Sequence, residues 1–128
     1  MKLITENRQG SGNEESINAD PNFNSLNVAL NELNGEFHSL LTVELASGVV
    51  LHIGGGPNEY MSQILNGDTC MLAIGSLKKV GMTELIVGGQ SSEFESRVIL
   101  SYEQARDILL VFYHGDGVHT TTVAWELR

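Results

Sequence analysis

Leu41-Thr42-Val43-Glu44-Leu45-Ala46-Ser47-Gly48-Val49-Val50-Leu51-His52-Ile53 is the stretch on which the fold class turns. Leu41, Val43 and Leu45 alternate with Thr42 and Glu44, and Val49, Leu51 and Ile53 alternate with Val50 and His52. A period of two on both sides of Ser47-Gly48 is a β-hairpin with one apolar face. Such a face has to be covered by other elements of the chain. Gly54-Gly55-Gly56-Pro57 closes the second strand.

Upstream, Asp20-Pro21 places an N-cap residue before a proline at the first helical position. Phe23, Leu26, Leu30, Leu33 and Phe37 then recur at helical spacing, with Asn34-Gly35 as the stop and Phe37 just past it. Asn24, Asn27 and Asn31 are weak helix formers, so packing has to hold this helix. Downstream, the spacing predicts strands over 69–75, 83–87 and 96–100, the first preceded by a turn at Asn66-Gly67. Ser101 and Gln104 form a capping box for a second helix with Ala105, Ile108, Leu109 and Phe112 on its apolar face. Gly115-Asp116-Gly117 ends that helix, and Thr120-Thr121-Thr122-Val123-Ala124-Trp125 reads as a last strand. The expected fold is α+β, a mostly antiparallel sheet of about six strands with both helices packed on one face. Residues 1–20 are polar beyond the first few positions and read as a flexible N-terminal arm, leaving 21–128 as a single domain.

The 128 residues suffice for one domain and one core. With 41% apolar and 18% charged residues the chain is neither a disordered tail nor a membrane protein. The N-terminus lacks a long apolar segment, so no signal peptide is expected and the cytoplasm is the expected compartment. A formal charge of −9 argues against nucleic-acid and membrane-surface binding and favours a basic protein partner over either.

Cys70 lies in the apolar run 69–74 and reads as a buried, inert thiol. The glycines at 54–56 invite a phosphate cradle or oxyanion hole, but the chain lacks both a Gly-x-Ser-x-Gly elbow and a P-loop lysine. Their default role is a backbone at positive φ or in close contact with a neighbour. His114, Asp116 and His119 form a weak metal-ligand set, and solvated histidines at a helix end are the preferred reading. Glu93 and Glu95 flank Phe94 at strand spacing, without the apolar setting that would raise a pKa. No catalytic residue, cofactor or metal is expected, and the chain reads as a non-enzyme.

Acidic residues beside aromatics remain: Glu59-Tyr60, Glu93-Phe94-Glu95, Asp116 and Trp125-Glu126. Aromatic anchors ringed by carboxylates suit capture of a basic partner. Glu59, Tyr60, Glu93, Glu95 and Asp116 are therefore the candidate contact residues. Tyr60 is open between loop anchor and core, and Trp125 reads first as a structural residue ending the last strand.

The apolar helix, the hairpin running into LHIGGGPNEY (51–60), the helix SYEQARDILLVFY (101–113), the glycine turn and the closing Trp125-Glu126-Leu127 together resemble a known family. It is the first-numbered immunity family of bacterial polymorphic-toxin and contact-dependent growth inhibition systems, and the likeness covers residues 22–128. The resemblance implies an antidote that binds the C-terminal toxin domain of a sibling cell, often a nuclease or deaminase, and blocks its basic active-site cleft with an acidic surface. Interfaces in this family vary with the toxin, so no contact residue transfers by motif. The alternative is a non-enzymatic adaptor or secretion-chaperone module that binds another protein. Monomer and homodimer both stay open.

Overall fold

The hairpin of residues 41–53 forms, with Leu41 opposite Ile53 and Val43 opposite Leu51, all four fully buried. Leu45 N–H donates to Val49 O at 2.9 Å, and Gly48 takes φ +93° to close the turn. The computed structural model describes residues 1–9, 12–115 and 123–128. Among these, the elements run β1 (Lys2–Gln9), β2 (Gly12–Asn18), α1 (Phe23–Glu32), β3 (Leu40–Glu44), β4 (Val50–Gly55), β5 (Tyr60–Asn66), β6 (Thr69–Ile74), β7 (Met82–Val87), β8 (Gln90–Glu95), a 3-10 turn at Ser96–Val98, α2 (Tyr102–His114) and β9 (Ala124–Leu127). The strands form a seven-stranded sheet in the order β2-β1-β3-β4-β5-β6-β9 and a separate β7-β8 hairpin, antiparallel throughout. The fold is α+β.

Both helices cover one face of the large sheet. Leu26, Leu30 and Leu33 from the α1 side and Ala105, Ile108 and Leu109 from α2 share a core with Leu41, Val43, Leu51, Ile53 and Ile64. Each fully buried leucine or isoleucine removed from water contributes about 1.5–3 kcal/mol. That is how an asparagine-rich helix such as α1 stays folded. The β7-β8 hairpin lies on part of the opposite face, where Leu85 joins Met61, Leu72, Ile74, Val98 and Ile99 in a second, smaller core. No helix among the described residues is long and apolar enough to cross a membrane.

Four expectations are corrected. The described part of residues 1–20 is not a flexible arm: β1 and β2 pair with each other, and Lys2–Thr5 pair with β3. One buried anchor, Leu3, and the backbone hydrogen bonds of β3 suffice to hold a polar edge hairpin, and neither produces an apolar periodicity. Helix α1 starts later than Asp20-Pro21, because Asn22 Oδ1 accepts from both the N–H and the hydroxyl of Ser25, at 2.8 and 3.0 Å. Strand β5 occupies 60–66, which showed no period of two because Tyr60, Met61, Ser62 and Ile64 bury side chains on both faces. The strand expected at 96–100 lies instead at 90–95. Gly88 and Gly89 take φ +61° and +79°, a two-residue turn that returns the chain at once. The total of nine strands thus exceeds the six expected.

The capping box of α2 is present, with Gln104 N–H donating to Ser101 Oγ at 3.2 Å and Ser101 N–H to Gln104 Oε1 at 2.9 Å. Gly115 ends α2 in the left-handed conformation, as anticipated.

Candidate acidic binding surface

The glycine run at the end of β4 is consumed by packing. A Cβ on Gly54 would lie 2.5 Å from a Val87 methyl, and one on Gly56 would lie 2.3 Å from Leu33 O. The first contact seats the β7-β8 hairpin on the sheet, and the second seats the chain beneath the end of α1. Gly55 and Gly56 take φ +102° and +84°, which throws the following turn, Pro57–Glu59, into solvent.

Glu59 is the exposed tip of that turn. It lines a cleft of about 210 Å³ together with Asn34, Pro57, Glu84 and Ile86. Glu84 lies directly opposite Glu93 across the β7-β8 ladder, and Met82 lies opposite Glu95. Alternation separates the two faces of this hairpin: Leu85, Val87 and Phe94 face the smaller core, while Met82, Glu84, Ile86, Glu93 and Glu95 face water. Met82 is 57% and Ile86 37% exposed. The structure therefore brings Glu59 and Glu93, 34 positions apart in sequence, onto one surface through Glu84. Glu59, Glu84 and Glu93 form no ion pair among the described residues.

Glu95 is differently placed. Its Oε2 accepts from Arg97 Nε at 2.8 Å, and Arg97 Nη1 reaches Glu126 Oε2 at 2.5 Å. The hydrogen bond to Arg97 holds the carboxyls of Glu95 and Glu126 below the ordinary carboxylate value, and the guanidinium is held charged in turn. Its charge is already answered within the chain.

Tyr60 is corrected. It is only 4% exposed, with its ring 6.3 Å from Tyr102, so it belongs to the core and not to a contact loop. Burial pushes its phenol pKa up. The turn that bears Glu59 ends one residue earlier than the sequence indicated, and β5 begins at Tyr60 itself. Asp116 and His119 lie outside the described residues. Trp125 is half-buried against the main core.

Glu84 has no aromatic neighbour in sequence to mark it. Its signal was available in the hairpin register, because a Gly88-Gly89 turn sets Glu84 against Glu93.

The uncovered half of the sheet's second face carries a polar row. His52 Nδ1 and Gln63 Nε2 lie 3.0 Å apart, and Cys70 Sγ donates to Gln63 Oε1 at 3.6 Å. Burial lowers the His52 pKa against an opposing pull from Glu44. Cys70 is half-buried and free, not fully buried as its apolar run implied, because it faces away from the helices. No group of three or more His, Cys, Asp or Glu side chains among the described residues is arranged to hold a metal ion.

No protein-family model matches the chain, and no curated protein matches it.

Proposed function

We propose that this chain is an antidote: it binds a basic toxin domain of the nuclease or deaminase type in the cytoplasm and occludes its active-site cleft with the surface built on Glu59, Glu84 and Glu93. The observation that carries the reading is this run of three unpaired carboxylates interleaved with exposed Met82 and Ile86. Apolar contacts supply desolvated area, while carboxylates aligned with a phosphate-binding cleft supply steering and exclude nucleic acid. The net charge of −9 extends that steering field beyond the contact itself. The resemblance to immunity proteins points the same way.

The test is co-purification of this chain with the C-terminal domain encoded beside it, followed by a salt titration. A one-to-one complex that protects cells from that domain is the expected result. Paired Glu84→Lys and Glu93→Lys should slow association about ten- to a hundredfold at low salt and flatten the salt dependence. A complex indifferent to both substitutions and to salt overturns the acidic surface. Failure to bind or protect overturns the antidote.

A second reading, a non-enzymatic adaptor or secretion chaperone, draws on Leu77 and Val80, both exposed in the loop between β6 and β7 beside Lys78 and Lys79. A partner held through that loop would meet Lys78 and Lys79, and its binding would be indifferent to Glu84→Lys and Glu93→Lys.

A further inference from the structure

Strand β2 is the outermost strand of the seven-stranded sheet, and every residue from Gly12 to Asn18 is exposed. Its seven residues pair with β1 without interruption, so the strand is regular along its whole length. One side of an antiparallel strand faces its neighbour, and the other leaves alternate N–H and C=O groups without a partner strand. Natural edges are commonly guarded by charged side chains, lysine above all, by proline, by a bulge or by shortness. This one has no lysine, proline or bulge and is seven residues long, and its two charges, Glu14 and Glu15, guard it against a like-charged strand and not against a basic one.

Its side chains define what can pair there. Glu14 and Glu15 are consecutive, so the pleat sends one carboxylate to each face of the sheet. Ile17, 60% exposed, stands two residues beyond Glu15 and on the same face. A second copy of the chain is a poor occupant. A two-fold axis centred on either glutamate sets carboxylate against carboxylate, and like charges directly opposite are destabilising.

We infer that the β2 edge accepts an extended dibasic segment of a partner protein by strand addition. In an antiparallel arrangement the residue opposite Ile17 comes first, the one opposite Glu15 two positions later and the one opposite Glu14 next. The complementary segment therefore reads apolar–any–basic–basic from N- to C-terminus. Backbone pairing supplies affinity, and the two carboxylates with Ile17 supply the choice of sequence. The inference does not rest on the antidote reading, whose surface is on β7-β8 and the turn at 57–59. Either can fail alone.

The experiment uses the full chain and a blocked peptide, Ser-Thr-Val-Thr-Lys-Arg-Thr-Ser, followed by amide NMR and hydrogen exchange. Saturable shifts are expected at residues 12–18, with slowed exchange at alternate amides of β2. Glu14→Lys with Glu15→Lys should weaken binding at least about tenfold, and both positions are exposed, so the fold is retained. A peptide methylated on the backbone nitrogens of its valine and lysine, the residues opposite Ile17 and Glu15, should not bind, because those amides face β2. Equal binding of the methylated peptide, shifts confined to 82–95, or no saturable shift overturns the inference. So does concentration-dependent protection of β2 without peptide, which would make a second copy the occupant.

Discussion

Arg97 donates to the carboxylate of Glu126 across 29 positions of sequence, with Nη1 2.5 Å from Oε2. The same guanidinium holds Glu95 through Nε, so one side chain ties the end of β8 to the terminal strand β9. The link joins the small hairpin to the edge of the large sheet.

Both carboxyl pKa values are held below 4.5 by this contact. A carboxylate whose folded pKa is depressed contributes stability that is present above the unfolded value and lost as pH falls through the folded one. Arg97→Ala should therefore leave a urea midpoint that falls less steeply than wild type below pH 4.5. The Glu95 and Glu126 carboxyl resonances should titrate closer to the ordinary value. Parallel acid curves for the two proteins would remove the contact from solution.

His52 gives the opposite residue type with the same sign. Its pKa lies below 6.5 in the fold because burial disfavours the charged ring. Stability is complete above 6.5 and declines as pH falls from there toward the folded value, since the unfolded chain takes up the proton first. His52→Leu should abolish that part of the decline. Urea midpoints from pH 8 to 5 would check it, and a His52 ring that titrates at or above 6.5 by NMR would refute it.

Glu84 and Glu93 face each other across the hairpin, where like charges cost a few tenths of a kcal/mol. Glu84→Lys should raise the thermal midpoint slightly while weakening capture of a basic partner. The two effects have opposite signs, so lost binding could not be blamed on lost folding. A variant less stable than wild type would contradict the register.

Two glycines separate packing from conformation. A Cβ on Gly75 would lie 1.9 Å from Ile99 O, so Gly75→Ala should cost at least about 1–3 kcal/mol, the usual penalty of overpacking. Gly48 has nothing within 4 Å and φ +93°, so Gly48→Ala meets only backbone strain of about 1–2 kcal/mol. Chemical denaturation of both variants checks the ranking.

Trp125 lies half-buried against the core. A fully buried tryptophan replaced by alanine loses about 3–5 kcal/mol, so Trp125→Ala should lose roughly half of that. An unchanged midpoint would detach β9 from the support of the fold.

Elements announced by local chemistry were legible without coordinates. The capping box at Ser101 and Gln104, the alternation from Leu41 to Ile53 and the glycine stop at 115 each reside within a few neighbouring residues, and each is found as expected. Of the candidate site, Glu59, Glu93 and Glu95 are exposed, while Tyr60 is buried because the strand after the glycines starts one residue sooner than composition indicates. Strands β1, β2 and β5 left no period to read. Two of them are polar and held by backbone pairing, and the third buries Tyr60 and Ile64 on one face and Met61 on the other.

The sequence by itself determined the α+β class, the positions of both helices, the central hairpin and the excess of negative charge, because these follow from spacing, capping and composition within short windows. Only the tertiary structure decided which carboxylates share a surface. Glu59 and Glu84 line one cleft because the β7-β8 hairpin seats on the sheet where Val87 approaches Gly54, the Glu95 carboxylate is held by Arg97, and β2 is left as an open edge. Those outcomes depend on contacts between segments far apart in the chain, and their free energy exists only once the sheet has assembled.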